Sequence, residues 1–488
     1  MPGKNDSKRT GARQEAARGR RQAAGRGQDN GGKSAVRDPR ELVVHGLLRL
    51  EDGGYSNIVW DHLVRQSRLG DLDKVLATRI YYGTIANLRR IDAIWAQYEP
   101  DMAKRADKIV RMTLRSALYQ MLCLDRVPTY SIVSSSVDVV KRLRSRTASG
   151  YCNALLRKMA AHRDSDKGIV LEPGGDAQLD FALRYSLNDD IARLLNEEFG
   201  AQAEMIAECT LSTPPMNVRV NLSKTSMAAL LAREGMLLTP SAWLPESSAA
   251  AQRNLSLETA MDEGLVQIQD EAAQLVVLAM GEPETWGEPG RQVHVWDACA
   301  GQGGKSLHLL DRMACAGDGR SYRLLSTDLY ANKLERLGTS QRRHFSAQSH
   351  LTKVRDLLLP GSVPMAPFDA ILLDAPCTGL GVLRRHPEAK LLRHAADIAV
   401  LAELQKGMLD SVSKHLRVGG LLLYAVCTIT RAECEDQVSA FLERHENYAL
   451  SGLGLACLGE RGLAPTLKLL PGQDKCDGFF MARFVRMH

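Results

Sequence analysis

The stretch VWDACAGQGGKS, Val295–Ser306, decides the fold, because an apolar, strand-like run there breaks into glycines and then a lysine. Val293, Val295 and Trp296 are β-formers leading into Asp297, and Gly301, Gly303 and Gly304 let the backbone approach a ligand before a helix begins at Ser306. Strand, glycine turn and helix N-terminus together present free N–H groups and partial positive charge at one edge of a sheet, a cradle of the nucleotide-binding type. Spacing narrows the choice of nucleotide. Gly304-Lys305-Ser306 ends like a phosphate loop, but the glycine required five residues earlier is Cys299. Gly27–Ser34 fits the phosphate-loop expression, yet no apolar strand precedes it and Pro39 follows, which marks a chance match in a tail. Gly301, Gly303 and Ser306 approximate the dinucleotide fingerprint, with the next acidic strand end, Asp328, later than its spacing of roughly 20 residues.

Downstream, a βα rhythm continues: strand 293–297, helix 306–314, strand 323–328, a strand near 351–355, strand 369–374, helix 396–416, strand 420–427, helix 431–444 and a terminal strand near 479–485. The rhythm predicts a doubly wound sheet with its ligand at the carboxyl ends of the strands. Three carboxylates arrive there: Asp328, placed to accept ribose hydroxyls; Asp356, placed to meet an adenine amino group; and Asp374. Two cysteines, Cys377 in LLDAPCTGLGVLRRHPE and Cys427 in YAVCTITRAECEDQV, follow the fourth and fifth strands, each before a threonine. A lone strand-end cysteine reads as core filler, but two in matching positions point to reactive thiols, their pKa lowered by adjacent helix N-termini. Lys305 is placed to orient Asp374 or a substrate, unless it is a helix-surface lysine.

Upstream, the chain changes character. Residues 1–37 carry ten Lys or Arg against Asp6, Glu15 and Asp29, while all 488 residues sum to only +6. Residues 1–38 therefore predict a disordered basic tail that a polyanion attracts. From residue 39 to 164 the apolar spacing is helical throughout, as in Leu114, Leu118 and Leu122, and Arg111, Arg115, Lys141, Arg142, Arg144 and Arg146 offer either a docking surface or a solvated face. Residues 165–263 mix a helix at 191–199 with a strand at 218–220 whose Arg219 is expected to face outward, toward phosphate or solvent. GLVQIQDEAAQLVVLAM, Gly264–Met280, is expected to open the last domain, 264–488, as a strand and a helix. No apolar run reaches the ~18 residues of a membrane span and no export signal is evident. Ten cysteines without paired CxxC spacing argue against a zinc ribbon or other metal site, and predict reduced thiols in the cytoplasm.

Arg40–Leu50, Leu114–Pro128 and Ser149–Met159 resemble helices of the NusB-type antitermination domain. The Asp-Ala-Pro-Cys run ending at Cys377, with the threonine-flanked Cys427, resembles the RsmB/NSUN family of S-adenosylmethionine-dependent RNA cytosine-5 methyltransferases, and the leading helical region points to its branch that modifies small-subunit ribosomal RNA. Gly301-Gln302 stand where that family usually has Ala-Pro. The resemblance implies an all-α NusB-like bundle, a small α+β linker domain that contacts RNA, and a Rossmann-like methyltransferase domain. It implies S-adenosylmethionine held by Cys299, Ala300, Gly301, Gln302, Gly303, Gly304, Lys305, Asp328, Asp356 and Asp374. It assigns nucleophilic attack on carbon 6 of cytosine to Cys427, activation of the ring to Asp374 and release of the product to Cys377. Arg384, Arg385 and His386 would hold the RNA backbone beside the flipped base, unless they form a solvated basic loop, and the enzyme would act on ribosomal RNA as a monomer. Two alternatives stay open: a non-catalytic RNA-binding or antitermination factor with a degenerate cofactor loop, and a nucleotide-dependent oxidoreductase, which leaves both cysteines unexplained.

Overall fold

The computed structural model describes residues 36–54, 56–100, 106–144, 146–251, 253–345, 350–359, 361 and 367–488. The basic tail expected over residues 1–38 lies outside them as far as residue 35. The chain divides into two compact units.

The first unit comprises the described residues up to Asn188 together with His386–Leu391. It is helical: α1 Pro39–Glu51, α2 Ser56–Gln66, α3 Asp71–Ala86, α4 Leu88–Tyr98, α5 Lys108–Cys123, α6 Thr129–Leu143, α7 Arg146–Arg163 and α8 Ala177–Arg184. Asp38 starts α1 by accepting from the N–H groups of Arg40 and Glu41, with Pro39 in the first turn, where its missing N–H costs nothing. Helix α5 runs through the core, burying Leu114, Leu118 and Met121, and Trp60 stacks on Tyr81 at 4.2 Å between centroids. Five of the six basic residues expected to offer a docking surface are engaged on the unit's own carboxylates: Arg111 on Glu51, Arg115 on Asp92, Lys141 on Asp138, Arg142 on Asp38 and Glu41, and Arg144 on Asp107; the side chain of Arg146 lies outside the described residues. Within the same unit, Ser56 Oγ donates to Glu388 at 2.7 Å, and the wholly buried Lys390 donates to the carbonyl of Ala86 at 2.8 Å. Burial pushes the Lys390 pKa well below its ordinary value.

The second unit, Asp189–Arg385 with Leu392–His488, holds two sheets. The smaller is antiparallel, built from β1 Met216–Val220, β2 Leu238–Pro240, β3 Ser247–Ala250 and β4 Val266–Ile268 in the order β2-β3-β1-β4. Strand β4, expected to open the last domain, instead pairs with β1, Val218 opposite Ile268. Three residues of alternating character carry no mark of which sheet they join. Helix α9, Asp189–Phe199, precedes this sheet, and α10, Glu271–Leu278, follows it.

The larger sheet has the order β10-β12-β9-β8-β5-β6-β7, with β11 pairing β12. Its strands are β5 Val293–Asp297, β6 Tyr322–Asp328, β7 His350–Val354, β8 Phe368–Asp374, β9 Leu416–Val426, β10 Tyr448–Leu450, β11 Thr466–Leu469 and β12 Phe479–Arg486. Strands β5 to β9 are parallel, whereas β10, β11 and β12 join antiparallel. Helices α11 Gly304–Cys315, α12 Ala331–His344, α13 Ala395–Ser413 and α14 Glu435–Arg444 connect them. The sheet buries apolar residues on both faces: Val295, Leu372, Leu423 and Met481 on one, and Trp296, Ile371, Leu373 and Phe480 on the other. Each such side chain contributes about 1.5–3 kcal/mol by leaving water. Helix α12 escapes the sequence reading because ANKLERLGTSQRRH buries only Leu334, Leu337 and His344. Strand β9 begins at Leu416 rather than near residue 420, because Gly419-Gly420, which reads as a turn, lies inside the strand. No helix among the described residues is long and apolar enough to cross a membrane.

Arg219 is a correction. Its position on β1 suggests an outward side chain, but the residue is only 1% exposed. Its guanidinium donates to Asp311 Oδ2 on α11 at 2.9 Å, to Gln269 at 2.9 Å and to Gln267 at 2.9 Å. β1 has no solvated face here, since α11 covers it.

Candidate active site

Because β5, β6, β8 and β9 run parallel, their carboxyl ends lie at one edge, which brings together Asp297, Asp328, Asp374 and Cys427 from sites far apart in the chain. The glycine turn after β5 is closely held. Ala300 N–H donates to the carbonyl of Thr327 at 2.8 Å, and Gly301 N–H donates to Asp328 Oδ2 at 3.0 Å. Gly303 takes φ 93° as the N-cap of α11, and a Cβ there would meet Leu337 Cδ1 at 2.1 Å. Both the left-handed backbone and the close approach require glycine. Helix α11 therefore starts at Gly304, two residues before the position read from the sequence.

Asp328 also accepts from the N–H of Tyr330 at 2.9 Å and lies 3.5 Å from Lys333 Nζ. Asp356 is exposed beyond β7, and its carboxylate accepts from the N–H of Leu358. Lys305, the second residue of α11, reaches across to Asp374 at the end of β8, with Nζ 2.6 Å from Oδ2 and 5.0 Å from the ring centroid of Phe479. Burial works against the Lys305 charge, but Asp374 outweighs it and raises its pKa.

Beneath the turn is a residue that the sequence reading used only as a strand end. Asp297 is buried, accepts from Ser306 Oγ at 2.6 Å through Oδ2, and leaves Oδ1 without a partner among the described residues. Burial lifts its pKa to about 7 against the opposing Ser306 hydrogen bond, with the Asp374 charge adding to the rise. Ser306 also lies 2.9 Å from Ser326, and Ser326 lies 2.9 Å from His350 Nε2.

Cys377 and Cys427 are free thiols with their sulfurs 3.3 Å apart, each partly accessible. That separation is a hydrogen bond, not the ~2.05 Å of a disulfide. The loops carrying them are tied, since Gly381 N–H donates to the carbonyl of Cys427 at 3.1 Å, and the hydroxyls of Thr378 and Thr428 lie 2.8 Å apart. The expected lowering of both thiol pKa values by helix N-termini does not survive for Cys377. Irregular backbone follows it, and its pKa is pushed well above the ordinary value by the hydrogen bond to Cys427, then by burial and nearby negative charge. No helix starts directly after Cys427 either; a 3-10 turn at Arg431–Glu433 comes first.

Arg384 and Arg385, expected to hold RNA, are committed elsewhere. Arg384 Nε donates to Asp477 at 2.6 Å, and Arg385 binds Asp477 and, at 2.6 Å, Asp270. Asp270 and Asp477 lie 92 or more residues away in the chain, which no local pattern reveals. His386 is part of the first unit, half exposed, with Nδ1 3.9 Å from Glu388. Sequence reasoning also missed Glu433, a buried carboxylate among the threonines beside both thiols. The only signal was the recurrence of threonine after each cysteine.

The family described as 16S rRNA methyltransferase RsmB/F matches residues 285–485, and the NusB family matches residues 37–161. The ribosomal RNA small subunit methyltransferase B of Vibrio cholerae is 33% identical over 469 residues, 93% of this chain and 98% of that one. Its namesake from Escherichia coli O6:K15:H31 is 30% identical over 433 residues, 86% and 92% of the two chains. Among solved structures, PH0851 superposes with a TM-score of 0.74 at 20% identity, covering 93% of this chain and all of that one. NSun6 from Pyrococcus horikoshii with SFG gives a TM-score of 0.52 at 19% identity over 61% of this chain and 98% of that one. At these identities the structural likeness establishes the fold.

Proposed function

Since the chain belongs to the RsmB/F family of 16S rRNA methyltransferases, we propose that it methylates carbon 5 of a cytosine in small-subunit ribosomal RNA, through a transient bond between that cytosine and Cys427. The observation that carries this reading is the pair of reduced sulfurs 3.3 Å apart at the carboxyl edge of the sheet, beside an aspartate anchored by Lys305. Cytosine carbon 5 is a poor nucleophile until a group adds at carbon 6, so the reaction needs one sulfur to attack and a second group to release it.

S-adenosylmethionine, when bound, supplies an electrophilic methyl group on a sulfonium. The turn fits such a cofactor: its backbone is held open by glycines at positive φ, Asp328 and Asp374 stand at the two neighbouring strand ends, and buried Asp297 below it has an oxygen with no partner among the described residues. Cys299 to Lys305, Asp328, Asp356 and Asp374 would hold the group. Cys427 gives its proton to solvent and attacks carbon 6 as a thiolate. The displaced electron pair moves toward the ring nitrogen, which takes up a proton from solvent, and Asp374, oriented by Lys305, would accept the hydrogen bond of the resulting N–H. Cys377, a thiol in the resting site, first loses its proton to solvent and, as a thiolate, accepts the one on carbon 5. Removal of that proton restores the ring double bond and expels Cys427. The target cytosine leaves its stack to reach the sulfur. We take the enzyme to act as a monomer in the cytoplasm, where its RNA is made.

Bisulfite sequencing of small-subunit ribosomal RNA from a strain lacking the gene tests the reaction. One cytosine protected in the parent becomes convertible in the deletion strain, and an unchanged protection pattern ends the proposal. On restoring the gene, Cys427→Ala gives no protection, whereas Cys377→Ala leaves a protein–RNA adduct on denaturing gels. An adduct with Cys427→Ala instead reverses the two roles.

A further inference from the structure

Glu433 closes the 3-10 turn Arg431–Glu433, six residues beyond Cys427, and is wholly buried. Its carboxylate is the meeting point of the two thiol loops. Oε1 accepts from the backbone N–H of Thr378 at 2.9 Å and from Gln405 Nε2 at 3.0 Å. Oε2 accepts from the hydroxyls of Thr378 at 2.5 Å, Thr430 at 2.9 Å and Thr428 at 3.2 Å. Gln405 spends its other N–H on the carbonyl of Pro376, the residue before Cys377, at 3.0 Å. One side chain thus binds the residues immediately following both cysteines, and through Gln405 the residue preceding one of them.

Chemical economy argues that this arrangement is selected for geometry. A buried carboxylate is costly, and among the described residues no Lys or Arg forms an ion pair with Glu433. Apolar side chains would fill the volume more cheaply. A carboxylate, however, is acceptor-only with about four lone-pair directions, so it can gather donors from two separate loops at one point. Among the described residues the sulfurs have only each other as a side-chain hydrogen-bond partner, so their separation depends on what holds the residues beside them.

We propose that Glu433 is a positioning residue, setting the distance and mutual orientation of the Cys377 and Cys427 sulfurs by gripping Thr378 and Thr428. The proposal rests on the reading of those two thiols as the reacting pair. Glu433→Gln keeps the size but turns one acceptor atom into a double donor facing donors, while Thr428→Val removes one grip and leaves the carboxylate.

Two measurements on the full-length enzyme test it. In the first, methyl transfer to unmodified small-subunit ribosomal RNA falls in kcat by about tenfold or more in Glu433→Gln, as expected for a misplaced reacting group, with KM for S-adenosylmethionine within about twofold. The second needs neither RNA nor cofactor: iodoacetamide labels Cys427 in preference to Cys377 in the parent, and the preference shrinks by at least about threefold in the variant, because the sulfur–sulfur hydrogen bond that holds the proton on Cys377 is no longer kept in place. Thr428→Val moves both readouts in the same direction by less, and decides the matter if Glu433→Gln does not fold. A folded Glu433→Gln enzyme with unchanged kcat and unchanged labelling overturns the proposal. So does a loss of kcat that tracks a fall in Tm and a rise in KM while the labelling ratio stays constant, since the carboxylate then only supports the fold. A parent enzyme that makes no 5-methylcytosine, yet whose labelling preference responds to Glu433→Gln, leaves the positioning role standing and removes the reaction assigned to the pair.

Discussion

Asp297 and Lys305 sit a few residues apart on one turn and hold opposite electrostatic positions. Lys305 keeps its charge because Asp374 lies 2.6 Å away, whereas Asp297 has no cation in direct contact among the described residues and burial favours its protonated form. The sign of the resulting pH dependence follows. A carboxyl group with an ordinary value near 4 in the unfolded chain, lifted to about 7 in the folded one, makes the folded state bind the extra proton. Its contribution to stability is complete below about pH 4 and is lost as the pH rises through about 7. Asp297→Asn cannot titrate, so its stability relative to the parent should rise between about pH 4 and about pH 8 in urea unfolding series, and a difference independent of pH would contradict the assignment. At this scale the sequence displayed the reactive side chains but not their protonation, because burial and partners set each value.

The glycine turn between β5 and α11 is the element whose conformation most depends on residue type. Gly303→Ala places a methyl group in the left-handed region, at a cost of about 1–2 kcal/mol, and drives it into Leu337 of α12 as well. Gly319 also has positive φ, 70°, but nothing lies within 4 Å of an added Cβ. Both alanine variants should lose stability in thermal melts. Only Gly303→Ala should weaken S-adenosylmethionine binding, by about tenfold or more in calorimetry, because relieving its contact moves the cofactor turn itself. Equal affinities in the two variants would show that the turn tolerates the shift. The elements themselves were legible wherever apolar periodicity was strong, as in β5, β8 and α5. They were not legible in α12, where mostly polar residues face solvent, or in β4, whose three residues suit either sheet.

Across the whole molecule, side chains that look like surface features in the sequence become connections between elements. Arg219 ties β1 of the small sheet to α11 of the larger layer, and burial lowers its pKa against the pull of Asp311. Truncating one partner of a buried pair leaves the other uncompensated, so Arg219→Ala should cost about 3–5 kcal/mol in urea unfolding. A variant as stable as the parent that binds ribosomal RNA less tightly would restore the phosphate-contact reading of Arg219. The sequence by itself determined the helical leading region, the βα succession, the glycine turn and the two cysteines at successive strand ends, because periodicity and turn chemistry are properties of neighbours along the chain. Only the tertiary structure decided which sheet β4 joins, where Arg219, Arg384 and Arg385 spend their charge, that the two sulfurs lie 3.3 Å apart, and that one buried glutamate grips both loops. Those pairings join residues tens to more than a hundred positions apart, and a contact closed by sheet order leaves no periodic trace in either segment.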